Sequence, residues 1–201
     1  MSARDDILSR LRHHRDAPAP PRYVAPSMED CVAQFVAMAG AAAAEVHTLA
    51  SAAGIPTAVA DALRARNLPA HIHIPAAQRL RHGEWTLAVD TAPPGPDDAA
   101  LALAPLAIAE TGTLVYPATA EAPSSWHFRA GMEIAVIYAG DILPTMEDVI
   151  ARLGARLPPT LNFVTGPSRT GDIEQTLELG AHGPKELVVL VIRDFPPDAS
   201  T

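Results

Sequence analysis

The apolar residues change their spacing along this chain, and each spacing predicts an element. In residues 2–15, Ile7, Leu8 and Leu11 fall on one face and Arg4, Arg10, Arg12 and Arg15 elsewhere, the pattern of a short amphipathic helix. The proline-rich stretch APAPPRYVAP follows at 17–26 and predicts a stiff, extended linker. Residues 28–53 are rich in alanine and contain no proline. Alanine's propensity, with Val32, Phe35, Val36 and Met38 as an apolar stripe, predicts one long helix stopped by Gly54. A second helix is predicted over 57–67.

Beyond residue 70 the spacing shortens to that of strands. AHIHIP (70–75) alternates, and WTLAVD (85–90) reads as another strand before the turn-rich loop TAPPGPDD (91–98). Residues 101–117 predict two strands with the turn at Glu110 to Gly112. EIAVIYAGDIL (133–143) carries a near-continuous apolar run, as a strand covered on both faces does. TMEDVIARLGARL (145–157) predicts a helix with Thr145 as N-cap and two acids in its first turn. A strand follows at 160–166, at least one helical turn within 168–180, and a final apolar strand at 185–194. Strands alternating with helices predict an α/β fold. The organisation expected is a helical arm and linker over 1–26 and one α/β domain over 27–201.

Composition narrows the function. The 201 residues carry a net charge of -8, which argues against a nucleic-acid binder that relies on a broad basic surface. Cys31 is the only cysteine, so no disulfide forms within the chain and these residues cannot supply a cysteine-ligated iron–sulfur cluster by themselves. No apolar run reaches the roughly 18 residues of a membrane helix. A cytoplasmic protein is expected.

Three segments set polar residues between apolar strands, where loops of α/β sheets bind ligands. AETGT (109–113) offers Glu110 as an acid, or as a turn carboxylate bonded to nearby amides. TGPSRTGDIE (165–174) offers Ser168, Arg169 and Thr170 as donors to a phosphate or carboxylate, with Gly166 and Gly171 allowing close backbone approach. The alternative is a tight turn with Asp172 as a cap. GAHGP (180–184) places His182 between glycines, as an acid/base group or a turn residue. His71 and His73 share one strand face, but no acid or cysteine stands nearby at a helpful spacing, so a metal is not expected. The arginine-rich RLRHHR and RLRHGE read as solvated faces, and Trp126, His127 and Phe128 as core or the wall of a pocket.

In this order AETGT, GPSRTGDIE and LGAHGPKELVVLVI closely resemble the lactate-utilisation (LUD) domain family, the lactate utilisation protein C group in particular. ARDDILSRLR with its proline-rich linker looks like the start of that group, so the resemblance spans nearly the whole chain. The segment SSWHFRAG before EIAVI, and Gly171 where alanine is more usual, depart from the group's pattern. The resemblance implies a NagB/RpiA/CoA-transferase-like mixed sheet with flanking helices. It implies a subunit that acts with iron–sulfur companion proteins in oxidising L-lactate to pyruvate, the clusters residing in those partners. It also implies a site over Glu110, Thr111, Gly112 and Thr113, over Ser168, Arg169, Thr170 and Asp172, and over His182 and Gly183. Glu110 and His182 are the candidates for chemistry there, and the rest for holding an anion. The alternative is a small-molecule enzyme or sensor with an anion site at the carboxyl ends of the strands.

Overall fold

The computed structural model describes residues 4, 7, 9, 30–119, 123–154, 158–171, 177–179 and 183–194. Within the predicted arm, Arg4, Ile7 and Ser9 have helical backbone; the linker lies outside the described residues. No described helix is long and apolar enough to cross a membrane.

Two helices and a parallel sheet build the first half of the frame. Helix α1 runs Cys31–Ala41, and α2 runs Ile55–Ala65. Strands β1 (Glu45–Leu49), β2 (His71–His73), β3 (Ala88–Asp90), β4 (Ala99–Leu103), β7 (Met132–Tyr138) and β12 (Glu186–Ile192) form one sheet in the order β1-β12-β7-β4-β2-β3, every pair parallel. The central strands explain their own sequences. β7 and β12 are apolar on both faces because helices cover both faces. Ala135, Ile137, Val189 and Val191 face α1, meeting Phe35 and Ala39. Ile134, Val136, Val188 and Leu190 face α2, meeting Ile55, Val59 and Leu63.

A second sheet packs against the α1 side. Strands β5 (Leu106–Ile108), β6 (Thr113–Pro117), β8 (Ile142–Leu143) and β9 (Leu161–Val164) pair in the order β8-β5-β6-β9. Its inner face contributes Ala107, Ala109, Leu114 and Val164 to the α1-side core. Its outer face buries Leu106, Ile108 and Val115 against Val149 of α4 (Met146–Leu153). The short α3 spans Ser125–Arg129, and β10 (Arg169–Gly171) pairs antiparallel with β11 (Leu177–Leu179). The α/β class with flanking helices is the expected one.

Three elements differ from expectation. The long helix predicted over 28–53 ends at Ala41: Ala43 takes a positive φ of 67°, and EVHTL leaves as β1 to pair with β12. Alanine propensity is a local preference, and the open edge of β12 overrides it. Residues 101–117 give not two strands but parts of three, because Pro105 ends β4 and the chain crosses to the second sheet. The helical turn predicted within 168–180 is instead, in its described residues, the β10–β11 pair.

Helix α4 is set by its start. The Thr145 hydroxyl accepts from the Asp148 amide, and the Asp148 carboxylate accepts from the Thr145 amide, a reciprocal cap. Thr145→Ala is expected to lower stability by about 1 kcal/mol, read as a shift of the denaturant midpoint without a change in slope. At the other edge Arg66, beyond α2, bonds Glu45 of β1 at 2.6 Å and also Glu186 of β12, tying the helix to the amino ends of two strands.

Candidate functional site

The three polar segments touch in sequence order. In AETGT the Thr111 and Thr113 hydroxyls lie 2.7 Å apart, and Thr113 is 2.6 Å from the Thr165 hydroxyl at the end of β9. This chain of hydroxyls joins the β5–β6 turn to the start of TGPSR. Ser168 then donates its amide to the Pro184 carbonyl at 2.8 Å. Gly183 faces Ser168 so closely that a methyl group on it would stand 3.1 Å from the Ser168 Cβ.

The polar tips differ in what they face. Glu110 stands at the amino end of α4, its Oε1 accepting from the Met146 amide at 3.4 Å, where a carboxylate favours the helix dipole. Arg169 and Thr170 belong by backbone to β10, with side chains outside the description. Asp172 and His182 lie outside the described residues. The Ser168–Pro184 contact sits at the amino ends of β7 and β12, since Lys185 donates to the Gly131 carbonyl at 2.8 Å. The expectation had put such contacts at carboxyl ends.

The carboxyl ends hold two larger hollows. One, about 490 Å³, lies at the start of α2 between Ile55, Pro56, Leu80, Trp85 and Tyr138. The other, about 590 Å³, lies on the opposite face between Val32, Val36, Thr48, Ala139 and Arg193. RLRHGE, expected as a solvated basic face, supplies Leu80 to the first, and Trp85, expected to open a strand, joins it there, its indole donating to the Leu80 carbonyl at 3.0 Å.

The most polar spot in the core was not expected from the sequence. Glu133, the second residue of β7, is 1% exposed, and its Oε1 lies 3.0 Å from Nδ1 of His127, 3% exposed on α3. The two atoms share one proton, and among the described residues the other ring nitrogen, Nε2, makes no hydrogen bond. Tyr116 of β6 stacks on that ring at 3.8 Å and 23°. Burial, and then the Glu133 charge, push the Tyr116 phenol well above its ordinary range, so it stays neutral. Among the described residues the Tyr116 hydroxyl, Glu133 Oε2 and the Trp126 indole nitrogen are buried without hydrogen-bond partners.

Such groups are costly in an apolar core. Tyr116 and His127 line a hollow of about 340 Å³ together with Gln78, Leu103 and Pro105, while Glu133 and Trp126 do not border it. The His127 ring, held by Glu133 and stacked on Tyr116, lines the hollow and can hydrogen-bond a small polar molecule there, whereas the Tyr116 hydroxyl is buried. The sequence did carry a signal. A glutamate inside a strand covered on both faces requires a buried partner, and His127 stands six positions before it.

Comparison with known proteins gives the site its context. Residues 97–192 match the family described as LUD domain. The chain is similar to a protein named lactate utilization protein C from Geobacillus thermodenitrificans, 33% identical over 100 residues, which are 47% of this chain and 42% of that protein. A protein of the same name from Halalkalibacterium halodurans is 33% identical over 103 residues, 48% of this chain and 45% of that one. The matched region spans less than half the length of these curated relatives. The fold is similar to the crystal structure of a duf162 family protein from Deinococcus radiodurans, with a TM-score of 0.61 and 24% identity over 81% of this chain and 96% of that one.

Proposed function

We propose that this chain takes part in lactate utilisation, because residues 97–192 match the LUD domain family and about half of the chain is similar to proteins named lactate utilization protein C. In this reading it is a cytoplasmic subunit that assists the oxidation of L-lactate to pyruvate beside iron–sulfur partner proteins. It binds a ligand or positions a partner and leaves electron transfer to the clusters those partners carry. The family match carries the proposal, and the single cysteine in these 201 residues supports the division of labour. In a dye-reduction assay the purified chain is expected to show no L-lactate-dependent turnover alone, and turnover when iron–sulfur lactate-utilisation proteins of the same organism are added. Turnover by the isolated chain, or full turnover by the partners without it, overturns the reading.

The second reading is a small-molecule enzyme or sensor. The observation that favours it is the Glu133–His127–Tyr116 cluster at the edge of a hollow, since a purely structural core gains little from three unpartnered polar atoms. The anion site over Ser168, Arg169 and Thr170 belongs to the same reading.

A further inference from the structure

His71 and His73 stand on the same face of β2, and the third group that the sequence lacked comes from the neighbouring strand. Parallel pairing sets His73 opposite Asp90 at the end of the edge strand β3. One ligand atom from each of His71, His73 and Asp90 lies within 4.8 Å of the others. His71 Nε2 is 4.0 Å from Asp90 Oδ2. That is too far for a hydrogen bond, yet two ligands each about 2.0–2.2 Å from one metal ion can stand up to about 4.4 Å apart. Drawing the widest pair onto an ion takes a movement of about 1 Å, and His71 and Asp90 are exposed enough to make it.

One backbone residue orients two of these groups. The Ala92 carbonyl accepts from His73 Nδ1 at 2.9 Å, which fixes that ring's proton there and leaves the Nε2 lone pair outward. The Ala92 amide donates to Asp90 Oδ1 at 2.8 Å, which leaves Oδ2 outward. Asp98, whose Oδ2 accepts from the Gly95 amide at 2.7 Å, brings that oxygen to 3.4 Å from His73 Nε2. Imidazoles with their second nitrogen tied to a backbone carbonyl are how proteins present metal ligands.

We propose that His71, His73 and Asp90 bind one divalent transition-metal ion of the zinc class. Two imidazoles with a carboxylate suit zinc, and they disfavour magnesium and calcium, which take oxygen ligands. His71 and Asp90 reach solvent, so the outer side of the ion stays open to water.

The test is isothermal titration of the full chain, freed of metal by chelator and dialysis, with zinc chloride and separately with magnesium chloride. One zinc per chain is expected, with a zinc-dependent rise in melting temperature and no response to magnesium. Asp90→Asn retains an oxygen for the Ala92 amide and removes the charge, and His71→Ala removes one imidazole from a half-exposed position. Each is expected to weaken zinc binding by at least about tenfold, the smallest effect typical of losing even an orienting partner, while the metal-free melting temperature stays close to that of the parent. Absence of one-to-one zinc uptake, or a zinc affinity in both variants equal to that of the parent, overturns the site.

Discussion

Gly112→Ala is expected to be among the most damaging single substitutions in the domain, although it adds one methyl group. Gly112 has a φ of 66°, and a Cβ built there would stand 2.2 Å from the Ala39 amide nitrogen and 2.6 Å from the Met38 carbonyl carbon. Those are backbone atoms of α1, which cannot rotate away. A left-handed conformation at a non-glycine residue costs about 1–3 kcal/mol, and an overpacked contact about 1–3 more. The sum, on the order of 2–6 kcal/mol, is a large fraction of the roughly 5–15 kcal/mol that holds a typical domain folded. Gly154→Ala is the internal control. Its φ is 70°, but nothing lies within 4 Å of the added atom, so only the conformational part, about 1–3 kcal/mol, applies. Denaturant unfolding of the two variants compares them directly. Equal losses would mean that the β5–β6 turn does not press on α1 as described.

That contact explains why a motif can read as chemical while serving architecture. Gly112 of AETGT and Gly166 of TGPSR both press on the last turn of α1, where a Cβ on Gly166 would meet the Ala42 carbonyl oxygen at 2.0 Å. The glycines seat the second sheet on α1, the Thr113–Thr165 hydroxyl pair joins two strands within that sheet, and Glu110 fastens the β5–β6 turn to the amino end of α4. In sequence, such glycines and hydroxyls look the same whether they approach a ligand or another backbone.

Legibility followed distance along the chain. The apolar runs of β7 and β12 and the Thr145 cap of α4 were readable because periodicity and capping are local. The end of α1 at Ala41 was not, because the reason for it is the edge of β12 far along the chain. Asp90 beside the two histidines was hidden for the same reason: only the β2–β3 register brings it there. Glu133 was present in the sequence as an anomaly, a charge within an apolar run, and its meaning depended on α3 folding back over β7.

Whether that anomaly is functional can be decided by removing the pair in two ways. His127→Phe alone keeps a ring to stack on Tyr116 but strands the Glu133 carboxylate in a site with 1% exposure. Leaving a buried carboxyl group without its hydrogen-bond partner costs about 1–3 kcal/mol, and more where it is charged. Glu133→Leu alone leaves His127 Nδ1 without its partner and is expected to cost about 1–3 kcal/mol. The double variant, with both polar groups replaced, is expected to recover nearly all of the parent stability or exceed it, because no buried charge remains to be desolvated. A double variant no more stable than His127→Phe would show that the carboxylate is not the source of the cost. A pair kept for packing alone would leave a stable double variant fully competent in the lactate-dependent assay with partner proteins. The cluster's position at a hollow predicts the opposite: a well-folded double variant that has lost turnover in that assay. Stability restored and turnover lost is a combination that a structural role does not produce. It would locate the proton-handling part of the domain at Glu133 and His127, away from Glu110, whose carboxylate is already engaged by the first turn of α4.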